Sequence, residues 1–364
     1  MTLDERFIAP NEINQVMAFF RAYKHPQYIL GRDRDFLTWQ LSPQRCRGFE
    51  QAGLSAVTLW DGDELVGLLG VIGCGFNGNG AVVDGGWLCN LIVLPQYRSA
   101  GGWMRLMKSV HSLPINVVGV VTFPPNIAQL YRAMGYQIRD RLFRFIRIVD
   151  PEQTGQIVVG DGWRRQLRPS TTSQAPTGLK VELATALDQR WDRFWRRFTE
   201  RGYFGTNHDS RYMQWRYLQH PRLQHVIKVA IAPDGEIRGG AVYRVEQVKD
   251  RPVRLMRLLE LMALDDATYE RVLQAVMQDG DSLGVAFIDH YTTRALHPIF
   301  RDLDWFEEEE DQDTLVPGLF QPLVLTRRNL NLGVRLLGPS TLQGLDLMRY
   351  LHAVKSDGDQ DRPS

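Results

Sequence analysis

A short turn between a strand and a helix carries the residues whose types and spacing best suit chemistry. Leu91–Leu94 is apolar and partly β-branched, which predicts a buried strand, and Pro95 ends it. Residues 98–102 read Arg-Ser-Ala-Gly-Gly, a small and flexible run with one cation. From Trp103 onward, apolar residues recur at helical spacing. A strand, a glycine turn and a helix point backbone N–H groups at a phosphate, although glycines also precede helices for structural reasons alone.

A second stretch, residues 126–136, follows the strand-like run Val117–Phe123. Together the two stretches resemble the GNAT family of acyl-CoA N-acyltransferases, which shows V-x-P-x-Y-R before a glycine turn and a helix, and later N-x-x-A-x-x-L-Y-x-x-x-G-F/Y. The residues in register with these patterns are Val93, Pro95, Tyr97, Arg98, Gly101, Leu130, Tyr131, Gly135 and Tyr136. Trp103 stands where the family has a small residue, and Asn126 lies closer to Leu130 than the family pattern requires. The resemblance covers residues 1–150.

The resemblance implies a site for acetyl-CoA, used as a co-substrate, and no metal. The strand edge at Ile92 and Val93 would hold the pantetheine amides by backbone hydrogen bonds, and the turn would bind the pyrophosphate, with Arg98 adding charge. The implied cofactor-binding set is Ile92, Val93, Arg98, Ser99, Ala100, Gly101, Gly102, Trp103 and Asn126. The alternatives are an exposed Arg98 without a ligand and an Asn126 that only caps its helix.

Tyr131 is the residue that the resemblance assigns to catalysis. In the family a tyrosine at this position lies near the CoA sulfur and donates a proton to the departing thiolate; a phenol suits this because its pKa, about 10, is close to that of a thiol. The other interpretation places Tyr131 in the core, since Leu130, Tyr131 and Met134 form an apolar stripe at helical spacing. No general base is evident: Asp84 and Cys89 lie near the strand but fit no pattern, and water could relay the proton.

Composition describes a globular protein with room for two domains. The chain has 364 residues, and its 43 basic and 42 acidic residues give a net charge of +1. That balance argues against a nucleic-acid or membrane partner. The resemblance implies a small-molecule amine as the substrate, and a homodimer stays open. The odd number of cysteines, three, indicates reduced thiols in a cytoplasmic protein. Neither a signal peptide nor an apolar run of about 20 residues is seen.

The second half repeats landmarks of the first in the same order. The offsets between matching landmarks stay near 170, which favours duplication over chance and is far too long for a solenoid period. The matched pairs are 19–23 with 194–198, 36–39 with 212–215, Gly67 with Gly239, 91–93 with 261–263, and 131–136 with 300–305. The predicted fold is therefore α/β (α+β), with two tandem GNAT-like domains, each a mixed, mostly antiparallel sheet flanked by helices.

The predicted domains are a GNAT-like acyl-CoA-binding domain over 1–150, a linker over 151–178, and a degenerate GNAT-like domain over 179–325. Residues 326–364 are predicted to form a strand, a helix over 340–354 and a disordered polar tail. The second domain lacks the glycine turn, and Asp265 or Asp266 would cap a helix there and repel a pyrophosphate. Glu260 is expected to pair with Arg254 or Arg257, or else to bind substrate.

These observations lead to two functional hypotheses from different classes. The first is an acyl-CoA-dependent N-acyltransferase acting on a primary amine. Aromatic segments around Trp39 and Trp215 loosely resemble GNAT-like proteins of surface-polysaccharide synthesis, which suggests an amino sugar as the acceptor. The second hypothesis is a non-catalytic binding or scaffold protein, which Trp103, the displaced Asn126 and the missing base favour.

Overall fold

A computed structural model of the chain describes residues 3–167, 178–294, 298–308, 313–321, 323–326 and 330–363. The strands within these residues are β1 Leu3–Phe7, β2 Ala56–Asp61, β3 Glu64–Gly78, β4 Ala81–Val93, β5 Val117–Val121, β6 Gln137–Arg139, β7 Phe143–Ile148, β8 Lys180–Leu183, β9 Phe204–Thr206, β10 Val226–Ile231, β11 Ile237–Gln247, β12 Arg254–Ala263, β13 Phe287–Thr292, β14 Phe306–Glu307, β15 Leu319–Phe320, β16 Leu323–Val324 and β17 Leu332–Leu336.

The helices flank these strands. They are α1 Ile13–Tyr23, α2 Ile29–Arg32, α3 Arg34–Gln40, α4 Pro95–Arg98, α5 Gly102–His111, α6 Ala128–Ala133, α7 Pro151–Gly155, α8 Gln189–Thr199, α9 Ser210–Met213, α10 Asp266–Leu283, α11 Pro298–Asp302 and α12 Leu347–Tyr350. Short 3-10 turns span Pro10–Glu12, Pro43–Arg45, Pro125–Ile127 and Gly162–Gln166, and a π turn spans Gln214–Leu218. Within the described residues no helix is both long and apolar enough to cross a membrane.

Two large sheets repeat one strand order. The first runs β1-β2-β3-β4-β5-β17-β6, with β9 paired to β3, and the second runs β14-β7-β13-β12-β11-β10-β8. In each sheet the pairs are antiparallel except one, β4 with β5 in the first and β12 with β13 in the second. This architecture confirms the predicted fold class of two tandem units with mixed, mostly antiparallel sheets.

The sheets exchange strands across the predicted domain boundaries. β7 belongs to residues 1–150 but pairs with β13 and β14 of the second sheet. β17, from the C-terminal segment, lies between β5 and β6 of the first sheet. One core cluster joins both halves, with Phe20, Phe36 and Trp87 beside Trp191 and Trp215. The boundaries therefore stay a prediction, and the polar linker run 169–176 lies outside the described residues.

The C-terminal segment differs from the expectation. Only Leu347–Tyr350 of the predicted helix over 340–354 is helical, and residues 354–359 are buried. The prediction of a disordered tail is thus wrong for residues 356–363, because other parts of the protein supply hydrogen-bond partners for the polar groups of this segment. The guanidinium of Arg216 donates to the carbonyl oxygens of Ser356 (2.6 Å) and Gly358 (2.8 Å), and Arg244 donates to the carboxylate of Asp361 (2.8 Å).

Candidate functional site

A cavity opens where β4 and β5 separate. Their parallel pairing runs only from Gly85 opposite Val117 to Leu88 opposite Val120, whereas β4 stays paired with β3 to its end. A register shift in the β3–β4 pairing and a positive φ of 52° at Asn90 mark a bulge next to this point. The resulting cavity has a volume of about 710 Å³. Its size and mixed apolar and polar lining are those of a small-molecule site.

The glycine turn lies between two residues that line this cavity, Arg98 and Trp103. Gly101 precedes α5 with a φ of 73°, and a Cβ at Gly102 would meet Leu59, Tyr97 and Val93 at 2.9–3.0 Å. One glycine therefore gives the left-handed turn and the other lets the helix lie against the sheet. The first N–H groups of α5 have no intrahelical acceptor, so they and the helix dipole are available to an anion.

Arg98 lies beside the turn and lines the cavity. Its Nε donates to the carbonyl oxygen of Val93 at 3.0 Å, and one terminal nitrogen donates to the hydroxyl of Tyr23 at 2.6 Å. The side chain is otherwise exposed, so the guanidinium is held at the cavity mouth with charge facing solvent. Ser99 and Ala100 are exposed on the same turn.

Trp103 is half-buried, lines the cavity and packs against the apolar cluster of the first half. The close approach that the family obtains from a small residue at this position is made here by Gly102. The indole therefore does not push α5 off the sheet; it forms part of the cavity wall.

Tyr131 lines the cavity and is also buried, with 4 % of its surface exposed. Its ring centroid lies 4.9 Å from those of Phe123 and Tyr136. Burial raises the pKa of Tyr131 to about 12, so the hydroxyl stays protonated at physiological pH. The two interpretations drawn from the sequence are compatible, since the ring packs in the core and the residue borders the cavity.

Six of the nine predicted cofactor contacts lie outside the cavity lining: Ile92, Ser99, Ala100, Gly101, Gly102 and Asn126. Ile92 is 2 % exposed and pairs with Leu68 of β3, whereas Val93 lines the cavity. Asn126 is exposed and does not cap α6, whose N-cap residue is Ile127, so the capping interpretation is wrong. The geometry therefore gives no support to Ile92 or Asn126 as cofactor contacts.

Several lining residues were missed at the level of sequence. Tyr23 and Lys24 come from the end of α1, and Asp359, Gln360 and Arg362 come from the C-terminal segment. Asp359 accepts hydrogen bonds from Gln360 and Arg362, each at 2.6 Å, and is the one carboxylate among the described lining residues. No local motif marks these residues, because the chain brings them together over more than 330 positions.

The two residues considered as bases differ in position. Cys89 lines the cavity, but burial raises the pKa of its thiol far above the ordinary value, which keeps it protonated. Asp84 is exposed and pairs with Arg47 at 3.3 Å, away from the cavity lining. No cluster of His, Cys, Asp and Glu within the described residues could hold a metal ion.

Comparison with solved structures identifies this architecture. A GCN5-related N-acetyltransferase from Anabaena variabilis matches 93% of this chain over 73% of its own, with a TM-score of 0.58 and 12% identity. The match to one from Kribbella flavida covers 92% of this chain and 71% of that protein, with a TM-score of 0.56 and 15% identity. The match to Saccharomyces cerevisiae N-myristoyltransferase with bound myristoyl-CoA covers 93% of this chain and 79% of that protein, with a TM-score of 0.51 and 13% identity. The chain has the GNAT fold. No family model and no curated protein matches its sequence.

The second half has the GNAT strand order but not the cleft. The space bordered by β12 and β13 is about 40 Å³, because large side chains, among them Phe300, Tyr269 and His290, line it. As predicted, Asp265 caps α10, accepting from the N–H of Thr268 at 2.8 Å. A CoA-sized ligand does not fit this space.

The contacts of Glu260 differ from the ion pair that the sequence predicted. It is fully buried and accepts a hydrogen bond from the hydroxyl of Tyr217 at 2.6 Å, with Nε2 of His208 at 3.2 Å. Arg257 instead pairs with Glu246 and Asp289. The predicted pair with Arg254 or Arg257 is therefore wrong.

Proposed function

We propose that the protein is an acyl-CoA-dependent N-acyltransferase whose site is the cavity between β4 and β5. The observation that carries the proposal is that Arg98 and Trp103, which stand on either side of the glycine turn before α5, both line this cavity within a GNAT fold. A CoA pyrophosphate would accept from the free N–H groups of α5 and pair with Arg98. The pantetheine would lie along the unpaired edge of β4 at Val93. Acetyl-CoA is the proposed acyl donor.

The part of the cavity lined by the C-terminal segment would bind the acceptor amine. An amine attacks a thioester only when neutral, so its proton must be removed. Asp359 is the described lining residue best suited to attract a cationic amine and accept that proton. Tyr131 would donate a hydrogen bond to the departing thiolate. A primary amine, such as that of an amino sugar, is the proposed acceptor class.

Calorimetric titration of acetyl-CoA tests the donor side. Arg98→Ala should weaken binding by about 1–3 kcal/mol, because it removes a charge-assisted contact to phosphate. Arg132→Ala is the matched control, since Arg132 is an exposed arginine outside the cavity lining. Equal affinity in the two variants would remove Arg98 from the site.

A free-thiol assay with acetyl-CoA and a panel of amines, amino sugars included, tests turnover. Release of CoA that depends on the amine supports the proposal. A wild-type chain that binds no acetyl-CoA would contradict the proposal and favour the non-catalytic alternative. In that alternative Trp103 and Arg98, whose side chain is hydrogen-bonded to Val93 and Tyr23, would close the site.

A further inference from the structure

Two residues lining the cavity carry buried polar atoms without a hydrogen-bond partner among the described residues. They are Asn90, through Nδ2, and Thr122, through Oγ1. Buried polar groups in native proteins are nearly always paired, so two such atoms on one cavity require an explanation. One residue lies on β4 and the other directly after β5, so the pair flanks the split between the two strands.

The orientation of the Asn90 amide is set by Tyr28. The phenolic hydroxyl of Tyr28 donates to Oδ1 of Asn90 at 2.7 Å, which leaves the two N–H groups of Nδ2 as free donors. The amide lies beside the thiol of Cys89 and offsets part of the effect of burial on the pKa of that thiol. A protonated thiol is a weak acceptor, so this contact leaves Nδ2 able to donate to a stronger acceptor.

The backbone at both residues is held in an unfavourable conformation. Asn90 has a φ of 52° and Thr122 a φ of 64°, and the second is rare for a β-branched residue. Asn331 fixes the Thr122 region, since its carbonyl accepts from the N–H of Thr122 and its Oδ1 accepts from the N–H of Phe123, both at 2.8 Å. Strain of this kind persists where the surrounding structure enforces it, often at binding sites.

We propose that Asn90 and Thr122 bind the acyl end of the thioester, Nδ2 of Asn90 donating to the acyl carbonyl oxygen and the Thr122 hydroxyl binding the neighbouring pantetheine amide. This inference rests on the proposed function. In the transfer, the amine nitrogen bonds to the acyl carbon, the carbon–sulfur bond breaks, and CoA leaves as a thiol with the proton that the amine releases. The carbonyl oxygen gains negative charge during addition, which a donor at Nδ2 stabilises.

The test compares acetyl-CoA with CoA, which lacks the acyl carbonyl. Asn90→Gly removes the donor at a position whose φ suits glycine, and we expect acetyl-CoA to bind about 2- to 12-fold more weakly while CoA is unaffected. Asn79→Gly is the matched control: Asn79 has a φ of 51° and lies outside the cavity lining, so both affinities should stay at the wild-type value. Asn90→Asp, which tolerates this φ and replaces the donor by an acceptor, should weaken acetyl-CoA about tenfold or more.

The Thr122 contact has a separate readout. Thr122→Val removes the hydroxyl and keeps the shape, so CoA and acetyl-CoA should both weaken by the same factor, about 2- to 12-fold. Wild-type binding of both ligands by Asn90→Gly and Asn90→Asp would overturn the carbonyl contact and leave the proposed function standing. Equal weakening of CoA and acetyl-CoA by Asn90→Gly would also overturn it. A wild-type chain that binds neither ligand would overturn the proposed function and this inference together.

Discussion

The C-terminal segment is anchored by buried charges, and Asp361 offers the sharpest perturbation of that anchor. Its side chain is buried and accepts from Arg244 at 2.8 Å and from Nε2 of His225 at 3.3 Å. Burial alone would raise the pKa of Asp361, but the Arg244 guanidinium holds it well below the ordinary value. Asp361→Asn keeps the shape and removes the charge, which leaves Arg244 buried with less compensation.

The expected cost follows from the partners that remain. Breaking a buried ion pair costs about 3–5 kcal/mol, but Glu246 stays 3.2 Å from Arg244, so we expect about 2–3 kcal/mol. For 364 residues unfolding as one unit, this lowers the melting temperature by about 3–4 °C. Release of the segment would also remove part of the cavity wall, including the cation of Arg362, so acetyl-CoA affinity should fall with stability.

Calorimetry provides both readouts, as a thermal scan and as a titration. Asp234→Asn serves as the control, because Asp234 is half exposed in its pair with Arg238 and should leave the melting temperature unchanged. An Asp361→Asn protein with wild-type melting temperature and wild-type acetyl-CoA affinity would refute the anchoring role.

Three further predictions concern Tyr131, Trp103 and Asp357. Tyr131→Phe should lower kcat by about 10²-fold with little change in KM. This is the low end of the contribution of a general acid, because the pKa of Tyr131, about 12, lies above that of a thiol. Unchanged kcat with a lower melting temperature would show that Tyr131 has a core role only. Trp103→Gly should weaken CoA binding and stability, since the indole is packed and lines the cavity, whereas a well-folded variant that binds CoA more tightly would show that the indole obstructs. Burial raises the pKa of Asp357 from 3.8 to about 6, so its stabilising effect is complete below pH 3.8 and is lost as the pH rises through 6. Asp357→Asn should therefore gain about 1.4 kcal/mol relative to wild type between pH 5 and pH 7.5, measured by urea unfolding, and parallel pH profiles would contradict this.

The parts of the site that are local in sequence could be predicted. Arg98 and Tyr131 each sit within a motif of a dozen residues, and both line one cavity. Periodicity also predicted α5 and the strand before it. These features depend on neighbouring residues and on backbone sterics, which a sequence displays directly.

The remainder depends on pairing between distant segments. A polar tail is expected to be disordered only if its polar groups must be hydrated. Here Arg216 and Arg244 donate hydrogen bonds to those groups in place of water. In the same way, Arg257 pairs with Asp289, which lies opposite it on β13, rather than with Glu260 three residues along its own strand. Cross-strand partners of this kind follow from the register of the sheet, which composition does not reveal.

The second half supports the cavity of the first, although its own cleft is nearly filled. β17 lies against β5, and Asn331, just before β17, holds the backbone at Thr122. The C-terminal segment, which lines the cavity at Asp359, Gln360 and Arg362, is bound by Arg216 and Arg244 of the second half. A chain cut at residue 150 would leave the β5 edge unpaired and the acceptor side of the cavity open. A filled cleft in the second half is therefore compatible with a role for that half, because its Arg216 and Arg244 bind the segment that completes the cavity of the first.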